Sequence, residues 1–370
     1  MIEFRPYQEA AAEWLSRRRR GMVCASAGSG KTVIGGMALS RVLERRGRHA
    51  TVGVLCNTRE QKDQWQAAFD LFPMIAELAT VRITCDAVRA NFSGCDLLIG
   101  DEIHHLRSAP TWQTAVETCN GAFWGFTATP WGEDEEENAV FRSRFYNQIH
   151  TISRSEIGDK LTPAVVRIVD ASDRNISDSI ERETMKKFQW RKKYWKGDMQ
   201  ELLGQIRWHE CSKRGIVENH ARNQAAIQLA KNHSHESVLI LVGQVEHGQE
   251  LQRQIPFSEV VFSKMGAKKR RNIIERFRSG DCPVMIATSL ADEGFDSPIA
   301  SVLILVSGGK SEGRTIQRAG RVCRKYAGKE TATIYDFKDT YHYLSEKHAI
   351  KRQEIFRNLG YKITFEGELL

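Results

Sequence analysis

Short apolar runs and amphipathic stretches take turns along the first 130 residues. Met22–Ala25, Thr51–Cys56, Thr80–Cys85, Leu97–Gly100 and Ala122–Thr127 are β-rich runs, and Lys31–Arg46 and Arg59–Phe69 between them carry helical periodicity. Strands alternating with helices predict right-handed βαβ units, hence a parallel sheet covered by helices on both faces. The pattern breaks at the acidic stretch "WGEDEEENAV" (131–140), and residues 141–235 are polar and helix-like apart from a predicted strand at Ala164–Asp170. A second alternation opens at Ser237. Strands are predicted over 238–242, 259–262, 284–287, 301–306 and 331–336, and helices over 246–254, 267–279 and 314–325. The remainder reads as a helix followed by a short strand, "YKITF". This organisation divides the chain into a first α/β domain (1–150), a linker with a helical insertion (151–235), a second α/β domain (236–340) and a C-terminal extension (341–370).

Composition narrows the class. A length of 370 residues suits two domains, and 41% hydrophobic with 27% charged residues is a soluble globular composition. The longest apolar runs, such as Val238–Val242, fall far below the ~18–20 residues that span a bilayer. The opening "MIEFRPYQEA" lacks the apolar stretch of a signal peptide, so a cytoplasmic location is expected. Eight cysteines are scattered with no C-x-x-C pair, which argues against a zinc ribbon or a disulfide scaffold and predicts buried thiols. Net charge is +8, unevenly spread: residues 1–150 hold 17 basic against 18 acidic groups, and residues 151–370 hold 37 against 28. A polyanionic partner fits, with the positive excess in the second half.

Two blocks carry chemistry. "ASAGSGKT" (25–32) follows a predicted strand and opens a predicted helix, the setting of a phosphate-binding P-loop. Gly28 and Gly30 let the backbone of Ala27, Gly28, Ser29 and Gly30 close on phosphate oxygens, with N–H groups and the helix N-terminus aimed at the anion. Lys31 reaches the β- and γ-phosphates, and Thr32 offers its hydroxyl to Mg²⁺. Ala25 stands where the general pattern has its first glycine, which demands a negative φ there. The second block, "DEIHH" (101–105), reads either as a metal cluster or as the acidic half of a magnesium-dependent ATPase. A zinc site needs histidines about one helical turn apart, and the adjacent His104 and His105 point in different directions. The ATPase reading places Asp101 on a strand neighbouring that of the P-loop as the Mg²⁺ carboxylate, with Glu102 as the base that polarises a water for in-line attack.

With "TATP" (127–130), "ATSLADEGFD" (287–296) and "QRAGRVCR" (317–324) following in order, nearly the whole chain resembles the superfamily 2 helicases and translocases. Within that superfamily it looks most like the XPB/UvsW-type DNA helicases and the type III restriction helicase subunits. The resemblance implies two tandem RecA-like P-loop domains and use of ATP with Mg²⁺. It implies an adenine pocket at Arg5 and Gln8, with Gln8 making paired hydrogen bonds to the base. Thr127 and Thr129 are expected to couple the ATP site to the nucleic-acid track, and His104 to relay to Gln317 across the cleft between domains. Gln317, Arg321 and Arg324 share one face of the predicted helix by i+4 and i+3 spacing, with the two arginines as fingers on the transferring phosphoryl group. Arg318 lies off that face. Gly294 and Asp296 are expected at the nucleotide and Thr288 at the nucleic-acid backbone, and Glu293, where many DEAD-box RNA helicases carry Arg, leans toward DNA.

Thr58 and Arg59 of "NTREQKDQW" match the family's first strand-contacting segment, and Thr84 is a second candidate. "KKFQWRKKYWK" (186–196) interleaves basic and aromatic residues, which suits phosphate contact plus base stacking, with Lys192, Lys193 and Trp195 as its candidates. "RRRR" (17–20) is read as a solvated helix end. The expected activity is an ATP-dependent DNA helicase or translocase acting on single-stranded, forked or branched DNA, as a monomer or within a larger DNA-processing assembly. The alternatives are an RNA helicase, a double-stranded DNA translocase subunit of a restriction or remodelling machine, or an ATP-switched nucleic-acid sensor.

Overall fold

The computed structural model describes all residues except 1–3, 27, 133, 159–160, 172, 174, 289–296 and 367–370. The chain divides between Leu161 and Thr162 into two compact units. In the first, β1 (Arg20–Ala25), β2 (Ala50–Leu55), β3 (Ala79–Thr84), β4 (Leu97–Asp101), β5 (Ala122–Thr127) and β6 (Ile149–Ile152) form a wholly parallel sheet in the order β3-β2-β4-β5-β1-β6. In the second, β7 (Ala164–Val169), β8 (Val238–Leu241), β9 (Ser258–Val261), β10 (Val284–Ala287), β11 (Val302–Leu305), β12 (Ala332–Phe337) and β13 (Lys362–Glu366) form another, ordered β13-β7-β12-β11-β8-β10-β9 and again parallel throughout. Both are the α/β architecture of RecA-like domains.

The strand sequences explain these sheets. "VLIL" recurs in β8 and β11, and each is buried along its length, as strands covered on both faces require. β6 departs from the expectation that residues 141–235 hold only one strand. Its "IHTI" is half-exposed on the sheet edge beside β1, so its sequence lacks the continuous apolar run of an internal strand. The predicted strand Ala164–Asp170 pairs with β12 on one side and β13 on the other, so the "YKITF" segment ends as the edge of the second sheet. Seven of the eight cysteines are buried, and all are free thiols.

Two expectations about the site-bearing elements need correction. Asp101 does not lie on a strand adjacent to the P-loop strand, because β5 runs between β4 and β1. Two strand spacings, about 10 Å, then separate the acidic pair from the loop, which leaves room for phosphate oxygens and brings Thr127 of β5 between them. Arg324 is not on the helix that carries Gln317 and Arg321. That helix, Glu312–Val322, stops because the Cys323 carbonyl accepts the Thr162 N–H (2.7 Å) and the Thr162 hydroxyl donates to the Arg324 carbonyl (3.1 Å). These bonds pull the chain into a strand-like path.

Between β7 and β8, helices Ile176–Arg191 and Met199–Ser212 pack as a hairpin. Ion pairs cross between them: Lys187 with Glu210, and Arg207 with Glu181 at 2.8 Å. Among the described residues no helix is long and apolar enough to cross a membrane.

Candidate functional site

The P-loop grows out of β1, which brings Ala25 to the point where the chain must turn. Ala25 stays within the strand and the left-handed positions fall at Gly28 (φ 84°) and Gly30 (φ 80°), so the missing first glycine costs nothing. Gly30 is needed twice over. Beyond its backbone angle, a Cβ there would lie 2.3 Å from the Gln8 amide nitrogen. Gly30→Ala therefore combines roughly 1–2 kcal/mol of left-handed strain with displacement of Gln8. We expect about a tenfold or greater loss of ATP affinity with the fold retained, read by nucleotide titration and thermal melting.

Gln8 closes the loop from behind. Its Nε2 donates to the Ser29 carbonyl (3.0 Å), its Oε1 accepts the Arg5 N–H (3.1 Å), and the Tyr7 hydroxyl donates to the same carbonyl (3.1 Å). Arg5 in turn donates to the Tyr7 hydroxyl (2.7 Å). One N–H and one lone pair of the Gln8 amide remain for a base, the pair an adenine edge needs. The Lys31 ammonium donates to the Ala25 carbonyl at 3.2 Å, beneath the loop it serves. The Ser26 and Ser29 hydroxyl oxygens are buried in this cradle without a hydrogen-bond partner among the described residues. Such a nest of N–H groups with spare hydroxyls suits a polyphosphate.

The acidic pair ends β4. Asp101 is buried; its Oδ2 accepts the indole N–H of Trp65 (3.1 Å) and its Oδ1 the Glu102 N–H (3.0 Å). Burial, followed by repulsion from Glu102, pushes the Asp101 carboxyl above its ordinary range, with Lys31 pulling the other way. Burial also acts to raise Glu102, but attraction from Lys31 and from His104 outweighs it and holds Glu102 low, hence ionised. An ionised carboxylate is the form a general base needs. Glu102 itself has φ 48°, a left-handed angle that a β-carbon makes costly, and it opens the short turn Ile103–Arg107. The Asp101 carboxylate and the Thr32 hydroxyl are hard oxygen donors of the kind Mg²⁺ prefers. The described residues contain no group of three or more His, Cys, Asp or Glu that could hold a metal ion.

His104 and His105 have different surroundings. His104 Nδ1 lies 3.0 Å from the Thr127 hydroxyl and 3.4 Å from Glu102 Oε2, and Thr127 accepts the Thr129 N–H (3.1 Å). His105 instead bonds the Asn57 amide through Nε2. That bond draws in a residue the sequence reading left without a role, because a single Asn carries no local signal of a partner 48 positions away.

The strand-contacting candidates also converge. Arg59 and Thr84 line one groove of ≈ 290 Å³ together with Lys62, while Thr58 caps the helix Arg59–Phe69. Thr288 is buried at the C-terminal end of β10. In the helical hairpin, Lys192 and Lys193 are exposed at the tip, but Trp195 folds back and donates its indole N–H to the Asp198 carbonyl (3.0 Å). The exposed rings are those of Trp190 (65% exposed) and Tyr194 (75%), with centroids 5.9 Å apart. Arg321 is only 6% exposed, on the helix that also carries Gln317. Ala27, Gly294 and Asp296 lie outside the described residues, as does Glu293.

Comparison with known proteins agrees with this geometry. The family described as type III restriction enzyme, res subunit, matches residues 1–80, and the helicase conserved C-terminal domain matches residues 221–326. The first match contains the P-loop, and the second contains Gln317, Arg321 and Arg324. Together the two matches support a superfamily 2 helicase related to the XPB and restriction helicases. The chain is similar to a DNA 3'-5' translocase XPB2 from Sulfurisphaera tokodaii, at 23% identity over 88% of this chain and 79% of that protein. It is also similar to a DNA 3'-5' helicase XPB from Kineococcus radiotolerans, at 23% identity over 96% of this chain and 63% of that one. In fold, S. cerevisiae Dbp5, solved with RNA and ADP BeF3, matches with a TM-score of 0.63 and 14% identity over 99% of this chain and 90% of its own. The helicase domains and the XPB relatives indicate an ATP-hydrolysing enzyme.

Proposed function

We propose that this helicase uses ATP hydrolysis to move along DNA and to open or remodel forked or branched structures. The observation that carries the reading is the chain of contacts within the first unit, from Lys31 and Glu102 through His104 to Thr127. It joins a hydrolytic site to the C-terminal ends of the sheet's strands, where Thr58, Arg59 and Thr84 also lie. Lys31 and the P-loop N–H groups hold the phosphates, with Arg5 and Gln8 at the base. Asp101 and Thr32 are the groups that would hold Mg²⁺, which when bound offsets phosphate charge. Glu102 takes the proton of the attacking water as its oxygen bonds to the γ-phosphorus and ADP departs. Arg321 and Arg324 are the arginines assigned to stabilising the phosphoryl charge, and Gln317 shares the helix of Arg321. Thr58, Arg59, Thr84 and Thr288 hold the phosphate backbone and do not read sequence, as travel over any sequence requires. The similarity to two proteins named as DNA-acting XPB enzymes favours DNA over RNA.

ATP hydrolysis measured with single-stranded, forked and duplex DNA and with RNA tests the reading. Forked or single-stranded DNA is expected to stimulate most, and equal stimulation by RNA overturns the DNA preference. Replacing Lys192, Lys193, Trp190 and Tyr194 together should weaken binding to forked DNA by about tenfold or more. Each stacked base contributes roughly 1–3 kcal/mol, and lost phosphate contacts flatten the salt dependence. Trp195→Ala alone should leave that affinity nearly unchanged, because its ring serves the turn at Asp198.

A further inference from the structure

The helix Arg59–Phe69 is fastened to the hydrolytic strand at two separate points. Midway along it, the buried Trp65 donates its indole N–H to Asp101 Oδ2 at 3.1 Å. The Trp65 ring cannot shift on its own. It lies edge-on to Phe126 with centroids 5.5 Å apart and against Phe69 at the same separation, and a Cβ at Gly35 would come within 2.6 Å of it. At the N-terminus, the Asn57 amide donates to His105 Nε2. His105 can accept because burial, with repulsion from His104, lowers its pKa to about 4 and keeps the ring neutral.

The helix start is rigid in its own right. The Thr58 hydroxyl accepts the Gln61 N–H (3.2 Å), and Gln61 Oε1 accepts the N–H groups of Asn57 (2.9 Å) and Thr58 (3.1 Å). While its oxygen caps the helix, the Thr58 hydroxyl hydrogen is still available to donate to a phosphate, so strand contact need not undo the cap. Arg59 is exposed on the same turn and faces the groove shared with Thr84. A pull on this turn is therefore a pull on Asn57, His105 and the Ile103–Arg107 turn that holds Glu102 at its left-handed angle. Through the helix body it is equally a pull on Trp65 and Asp101.

We propose that the helix Arg59–Phe69 is a rigid arm passing strand engagement at Thr58 and Arg59 to Asp101 and Glu102 within the first unit. Trp65, Asn57 and His105 act as its positioning residues. This rests on the function proposed above and adds to it a route separate from the contact between His104 and Thr127. None of the three residues touches the nucleotide or the nucleic acid in this account.

The test compares Asn57→Ala, His105→Ala and the double variant. ATP hydrolysis is measured with and without oligodeoxythymidylate, and affinity for a fluorescein-labelled form of the same oligonucleotide is measured by anisotropy. Basal hydrolysis and oligonucleotide affinity should stay within about twofold of the parent, while the stimulated rate falls roughly tenfold in each single variant and no further in the double variant, as for one coupled pair. His105→Gln, which keeps an acceptor for the Asn57 amide, should recover much of the stimulation. Trp65→Phe keeps the ring and removes only the N–H, and should raise the Mg²⁺ concentration for half-maximal hydrolysis several-fold. Unchanged stimulation, a parallel fall in basal and stimulated rates, or losses that multiply in the double variant each overturn the arm. Glu102→Gln separates the two claims. If it is inactive while the Asn57 and His105 variants respond to DNA normally, the arm is wrong and the hydrolytic site stands; if it hydrolyses ATP normally, the hydrolytic reading itself fails.

Discussion

Glu102→Gln should lower nucleic-acid-stimulated ATP hydrolysis by about 10²–10⁴-fold, the range a general base contributes, while leaving ATP and DNA binding close to those of the parent. The amide fills nearly the same volume, so the left-handed turn at Glu102 and the Ile103–Arg107 segment persist. What disappears is a carboxylate whose ionised state Lys31 and His104 favour. The signature is a fall in kcat with little change in KM, since the group acts on the water and not on the bound phosphates. Single-turnover hydrolysis alongside nucleotide titration distinguishes this from loss of binding. Near-parental turnover would remove Glu102 from the chemistry. Asp101→Asn should behave differently, because a weaker metal donor raises the Mg²⁺ requirement as well as slowing the reaction.

Both sheets were legible in the sequence because buried parallel strands are short, continuous apolar runs, and twelve of the thirteen have that character or sit in a clear alternation. β6 was not, since an edge strand half-exposed to solvent carries too few apolar positions to stand out from a polar, helix-like stretch. The P-loop and the acidic pair were legible for another reason: their chemistry fixes residue types at fixed spacing within one segment. Strand order is different. That β5 separates β4 from β1 follows from pairing between distant segments, and nothing local to "DLLIGDE" reports it. The same holds for the bonds of Trp65 with Asp101 and of Asn57 with His105, which join positions 36 and 48 residues apart. The helical insertion shows the limit of composition. Its basic and aromatic residues stand out as a group in the sequence, but which ring is exposed depends on one indole bonding to the turn at Asp198.

Arg321→Ala should reduce the rate of hydrolysis by about 10³-fold or more, within the range that an arginine finger supplies, with ATP affinity nearly retained. The helix Glu312–Val322 gives the reason for preferring Arg321 over Arg324 as the larger contributor. Ala319 and Val322 are fully buried and fix the helix against the second sheet, so a guanidinium one residue from Val322 is carried on a rigid support. Arg321 is itself 6% exposed. Arg324 follows the end of the helix, held by its main chain through the Thr162 hydroxyl, so its side chain has a less fixed origin. Arg324→Ala is accordingly expected to cost less than Arg321→Ala. Arg321→Lys discriminates charge from geometry: lysine keeps the charge but lacks the planar fork, and an intermediate rate would show that the fork contributes. Thermal melting of each variant guards against a folding defect. A correctly folded Arg321→Ala protein that hydrolyses ATP at the parental rate would exclude this residue as a finger.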